Sequence, residues 1–177
     1  DKYPARPSAS ELTKSHASTS LKRVMRILGI DPGFDRTGLG VIEVVKNEFR
    51  WMGHGCIQTS SKDVFTKRLQ ETRDGVERII KKAKPDVVVV EHLFFSNNAK
   101  TAINVGMGRG VILLAIADAG IPFVELTPNQ VKQATTGYGA AKKEQIQEMV
   151  KRLLKLKEIP EPDDAADALA IAIAVST

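Results

Sequence analysis

ILGIDPG, residues 27–33, is the stretch from which the rest of the chain is read. Residues 25–31 are apolar almost throughout, as expected of a strand covered on both faces, and Pro32-Gly33 then forces a turn. The strand ends on a carboxylate, Asp31. A second apolar run, Val87 to Val90, ends the same way on Glu91, and the segment DDAADALAIAIA at 163–174 carries Asp164 and Asp167 three apart on one helix face. A charge delivered out of a buried element is costly unless something neutralises it. Two carboxylates ~4 Å apart repel by ~4 kcal/mol at an effective dielectric near 20, a large part of a domain's ~5–15 kcal/mol stability. If the four acids meet, they need protons or cations.

Around these runs the order is β-β-β-α-β-α-β-α-α-α. Strands are expected at 25–31, 38–45 and 49–59, with Lys46-Asn47 as a hairpin turn. Helical spacing follows over 61–84, carried by Val64, Leu69, Val76, Ile79 and Ile80. A short strand at 87–91 precedes a long helix at 97–119, and a strand at 122–126 precedes a helix begun by Thr127 as N-cap with Pro128 in its first turn. Helices at 142–155 and 163–175 complete the chain. The pattern predicts an α/β domain: a mixed sheet, an antiparallel meander plus parallel strands, flanked by helices.

At 177 residues the chain has the size of one domain. Residues 1–24 are rich in Ser, Ala, Thr, Pro and Lys without apolar period, and are expected to be a flexible leader, added or disordered, before a single domain at 25–177. No apolar stretch reaches the ~20 residues of a membrane span, so no membrane association is expected. The single Cys56 excludes an intrachain disulfide framework and fits a reducing, cytoplasmic setting. Of the net charge of +5, the leader supplies +3 and the other 153 residues only +2. Neutralising four acids with metal would leave the remaining surface clearly basic.

An all-oxygen ligand set without a Cys or His pair suits Mg²⁺ or Mn²⁺ rather than Zn²⁺. Two such ions ~3.5–4 Å apart are a recurring device of phosphodiester hydrolysis. Phe94 and Phe95, at a polar strand-to-helix turn just after Glu91, are placed to stack on unpaired bases. Lys132, Lys142 and Lys143 are candidate phosphate clamps. The glycine-rich stretch 105–110 sits inside a helical pattern, which excludes a nucleotide-binding loop. Gly106 and Gly110 share a face there and point to close helix approach, within the fold or across a two-fold axis. Each feature alone has a plain alternative: a turn aspartate, an edge glutamate, a solvated lysine.

Together the segments ILGIDPG at 27–33, VVVVEHLFFSNNA at 87–99, GRG at 108–110, QVKQATTGYGAAKKEQ at 130–145 and DAADALAIAIA at 164–174 resemble the RuvC family of Holliday-junction resolvases, in the RNase H-like superfamily. The resemblance spans Met25 to Val175. It implies a five-stranded RNase H-like sheet with helices on both faces, and Asp31, Glu91, Asp164 and Asp167 as catalytic ligands of two Mg²⁺ ions, with Asp163 as the neighbouring cap. It implies Phe94 at the bases of the crossover, Lys132 and Lys143 near the scissile phosphate, Arg109 among the DNA contacts, and the helix of Gly106 and Gly110 at a homodimer interface. Paired nicks in strands of like polarity of a four-way junction are the implied reaction, with RuvA and RuvB as partners in branch migration. An RNase H-like nuclease acting on flaps, hybrids or precursor RNA, and one half of an actin-like ATPase, are the competing readings.

Overall fold

The computed structural model describes residues 24–92 and 99–175. Strands β1 (Met25–Asp31), β2 (Arg36–Val45) and β3 (Glu48–Gln58) form the meander. They are followed by helix α1 (Phe65–Ala83), β4 (Val87–Glu91), α2 (Ala99–Asp118), β5 (Phe123–Leu126), α3 (Pro128–Thr136), α4 (Lys143–Leu153) and α5 (Asp163–Ala174). The sheet order is β3-β2-β1-β4-β5, with β1, β4 and β5 parallel and the β1-β2-β3 pairings antiparallel. This is the mixed sheet expected from the sequence. The hairpin turn falls at Lys46-Asn47, both at positive φ (52° and 63°), the backbone that matches a tight hairpin to strand twist. Thr127 caps α3: its hydroxyl accepts from the Gln130 N–H at 3.2 Å, and the Gln130 side chain accepts from the Thr127 N–H at 2.8 Å.

Two cores lie on the two faces of the sheet. One joins Ile27, Ile42, Val87 and Val89 to α3, α4 and α5 through Val131, Ile146, Val150, Leu169 and Ile173. The other joins Leu28, Ile30, Val88 and Val90 to Val76 and Ile80 of α1 and to Ile112 and Ile116 of α2. Alternate strand residues therefore serve opposite cores, as the period of two requires. Val64, expected on the apolar face of α1, instead precedes the helix and is 69% exposed, while Arg68 and Thr72 are buried. Among the described residues no helix is long and apolar enough to cross a membrane.

The Ala-rich helix α5 seats directly on the sheet. A Cβ on Gly29 would lie 2.0 Å from the Ala168 carbonyl oxygen, and one on Gly38 2.0 Å from that of Asp164. Side-chain-free positions on β1 and β2 thus let the α5 backbone come down onto the strands. That close approach sets how far its first-turn acids stand from the strand ends.

Candidate active site

Parallel pairing of β1 with β4 puts Ile27 opposite Val87 and Ile30 opposite Val90. The next residues, Asp31 and Glu91, therefore leave the sheet side by side. They face the layer that holds α5, whose first two turns carry Asp164 and Asp167. Asp31, Glu91 and Asp167 line one cavity of about 210 Å³ together with Lys132 of α3 and Lys143 of α4. Asp164 stands at its flank, where one carboxylate oxygen is buried without a hydrogen bond and lies 3.6 Å from Arg36. A larger groove of about 620 Å³ between β3 and α1 holds none of the four acids.

The electrostatics show that the carboxylates feel one another. Burial, then the charges of Glu91, Asp167 and Asp164, push Asp31 from 3.8 up to about 7, against Lys143. Burial and Asp167 also raise Glu91, partly offset by Lys132. Asp167 is raised by burial although Lys143 hydrogen-bonds it. Lys143 bridges Asp163 at 2.8 Å and Asp167 at 3.1 Å, and its ammonium is held by those bonds well above the usual lysine range.

Asp31 gives a pH prediction. Its folded value lies above its unfolded one, so the folded chain holds an extra proton between the two. That contribution to stability is complete below about pH 4 and is lost as the pH rises through about 7. Glu91 and Asp167, also raised, act with the same sign. In metal-free buffer the thermal midpoint is expected to fall between about pH 5 and about pH 8, and to fall less in Asp31→Asn. A midpoint equally pH-dependent in both proteins would refute it.

The residues present fit hard divalent cations. The donors are carboxylate oxygens, three of the acids hold protons more tightly than usual, and a buried Asp164 oxygen has no donor. Among the described residues no three His, Cys, Asp or Glu side chains are drawn onto a single point. The acids ring the cavity instead, with Asp167 turned to Lys143 and Asp164 to Arg36.

Several expectations change. Asp163 does not cap α5: Pro162 occupies that position with extended backbone, the helix begins at Asp163, and the Asp163 carboxylate serves Lys143. The pair Lys142-Lys143 divides, Lys143 lining the cavity and Lys142 standing exposed at the start of α4. Arg109 is turned away from the carboxylates as well. Its guanidinium pairs with Glu125 of β5, which lies opposite Val90 on the sheet face covered by α2, so an internal acid takes the charge expected for DNA. Among the described residues nothing lies within 4 Å of where a Cβ on Gly106 or Gly110 would sit, so neither glycine serves close packing against the described parts of the fold. Phe94 and Phe95 lie outside the described residues. The sequence reading missed Arg36 and Arg68. Arg36 lies between the expected turn and the expected strand at 38–45, and Arg68 is one cation among many on a charged helix; only tertiary contact distinguishes them.

Residues 27–175 match the family model described as crossover junction endodeoxyribonuclease RuvC. A relative of that description from Desulforamulus reducens is 54% identical over 149 residues, covering 84% of this chain and 91% of its own. The solved structure of Thermus thermophilus RuvC superposes with a TM-score of 0.78 at 37% identity, covering 85% of this chain and 92% of that one. The structure of Thermus thermophilus RuvC in complex with a Holliday junction substrate gives 0.77 at 35% identity, covering 85% and 91%.

Proposed function

Because this chain belongs to the RuvC family of crossover junction endodeoxyribonucleases, we propose that Asp31, Glu91, Asp164 and Asp167 are its catalytic carboxylates. The chain is an endonuclease that resolves Holliday junctions, the substrate bound by its Thermus thermophilus relative. The family's reaction is metal-dependent. Two Mg²⁺ ions, with Mn²⁺ able to substitute, are the cations proposed for this site. The observation that carries the reading is the convergence of Asp31, Glu91 and Asp167 on one cavity with Lys132 and Lys143, flanked by Asp164.

When bound, such ions supply activation of water and neutralisation of the leaving oxygen. The side chains do the rest. The four carboxylates offer oxygen ligands fixed by two strand ends and one helix. Lys132 and Lys143 position the phosphate of the strand to be cut. Lys143 can release Asp167 to reach that phosphate while Asp163 keeps hold of it, which gives the exposed Asp163 a role that capping does not. Lys142, outside the cavity, contacts the neighbouring backbone, and Phe94 and Phe95 meet the unpaired bases at the crossover. The proposed nuclease domain is 25–177, with residues 1–24 as a separate leader, in keeping with a family match over 27–175.

Paired nicks in strands of like polarity require two sites on one junction. Exposed Ile103, Met107 and Leu114, at 57%, 50% and 56%, follow one stripe of α2 beside Gly106 and Gly110. Apolar residues at this spacing with open glycines support a homodimer formed through α2. Light scattering is expected to give twice the chain mass, and half of that for Met107→Glu; a monomeric parent protein would overturn the interface. RuvA and RuvB as functional partners, and a cytoplasmic location, belong to the same proposal.

A substrate panel tests the function. With Mg²⁺ or Mn²⁺, a mobile four-way junction is expected to be cut at paired, ligatable positions, faster than a flap or an RNA–DNA hybrid. Faster cutting of the hybrid would assign the site to another substrate.

A further inference from the structure

The turn that follows Asp31 is tied down by a cluster the proposed chemistry does not use. Arg68 of α1 is 8% exposed, whereas the other charged residues of that helix are exposed or half-buried. A guanidinium is costly to bury unless its donors are matched. Its Nε donates to the Thr59 hydroxyl at 3.0 Å, and one Nη donates to the Phe34 carbonyl at 3.3 Å and pairs with the Asp35 carboxylate. Its flat face lies 3.8 Å above the centre of the Phe34 ring, which stacks on Phe65 at 5.0 Å. Every side-chain partner of Arg68 is thus residue 34, 35 or 59.

Those partners are also joined to each other. The Thr59 N–H donates to the Asp35 carbonyl at 3.0 Å and its hydroxyl to the Phe34 carbonyl at 3.2 Å. The Thr37 hydroxyl closes the turn by donating to the Gly33 carbonyl at 3.1 Å. The Asp35 side chain is 77% exposed, and an ion pair so wet gives little reason to bury its partner. What the buried fork secures is backbone position, which a planar guanidinium fixes and an ammonium does not.

The secured residues, Phe34 and Asp35, start three residues after Asp31 and directly precede Arg36, the residue facing Asp164. Pro32 and Gly33 form the short link, and a Cβ on Gly33 would lie 2.1 Å from the Arg36 carbonyl oxygen, so the turn has no slack. We infer that Arg68 is a positioning residue of the nuclease, a clamp on the β1–β2 turn that aims Asp31 and the Arg36–Asp164 pair into the site. This rests on the reading of Asp31 and Asp164 as ligands.

The experiment compares Arg68→Met and Thr59→Val with the parent dimer well below their melting temperatures. It reads three quantities: single-turnover junction cleavage, junction affinity in Ca²⁺, and Mn²⁺ alone bound to the protein, counted by the free-Mn²⁺ spin-resonance signal. Arg68→Met is expected to lose about tenfold or more in both cleavage and Mn²⁺ affinity, with junction affinity within about twofold. Thr59→Val, nearly isosteric and lacking the shared hydroxyl, moves the same two quantities the same way and decides the matter if Arg68→Met does not fold. Folded variants with parental cleavage and parental Mn²⁺ affinity overturn the clamp, leaving Arg68 a stability residue. Loss of only one of the two quantities overturns it equally. Asp31→Asn separates the premises: cleavage by that variant would sink the ligand reading itself, whereas an inactive Asp31→Asn beside unaffected Arg68→Met sinks only the inference.

Discussion

Asp167→Asn is expected to abolish cleavage of a synthetic four-way junction while leaving junction binding within about twofold. Asparagine keeps the shape and can still accept from Lys143, now 3.1 Å away, so the local packing survives. What goes is one unit of negative charge in a cavity shared with Asp31 and Glu91. A ligand set that loses a charge holds a divalent cation less tightly and places it less well, and a loss of about a thousandfold, ~4 kcal/mol in the barrier, is the scale to look for. Stability should move the other way. Asp167 raises the proton affinity of both Asp31 and Glu91, so removing its charge relieves repulsion, and the metal-free thermal midpoint near pH 8 should not fall. Electrophoretic binding in Ca²⁺, cleavage in Mg²⁺ and a melting curve give the three answers. Parental cleavage would remove Asp167 from the catalytic set.

Gly29→Ala is expected to be severely damaging for the addition of a single methyl. The added Cβ would meet the Ala168 carbonyl oxygen at 2.0 Å and the Ala172 nitrogen at 2.7 Å. Both are helix backbone and neither can turn aside, so α5 must lift from the sheet. Overpacking of this kind costs about 3 kcal/mol, which corresponds to roughly 6–12 °C in melting temperature at this chain length. Activity should fall further than stability, because Asp167 sits one residue before Ala168 and retreats with it. Gly106→Ala provides the contrast within a single protomer: among the described residues no atom lies within 4 Å of the new Cβ, so the helix interior of the monomer should gain about 0.5–1 kcal/mol. If the two substitutions melt alike, the seat of α5 on β1 is not what holds the acids.

Much of this was legible in the sequence because it depended on local pattern. The runs into Asp31 and Glu91 are strands by their apolar character, and the parallel register then makes the two acids neighbours. The spacing of Asp164 and Asp167 places them on one face of a helix whose alanines permit close seating. What could not be read depended on tertiary contact. Val64 fits the apolar period of α1 yet lies outside the helix, and Arg68 breaks that period yet is buried, because Phe34, Thr59 and Asp35 come from elsewhere to meet it. Asp163 looked like a cap until Pro162 took the position and Lys143 took the carboxylate. Arg109 offered a positive charge to DNA in sequence, but Glu125, sixteen residues on, claims it.

The position of α5 in the chain order has a consequence for biosynthesis. Two of the four acids come from β1 and β4, and the other two from a helix at 163–174. A chain emerging from the ribosome N-terminus first can pair β1 with β4 and bring Asp31 beside Glu91 long before Asp164 and Asp167 exist. Until α5 has been made and has settled onto Gly29 and Gly38, the growing polypeptide holds only half of the proposed carboxylate set.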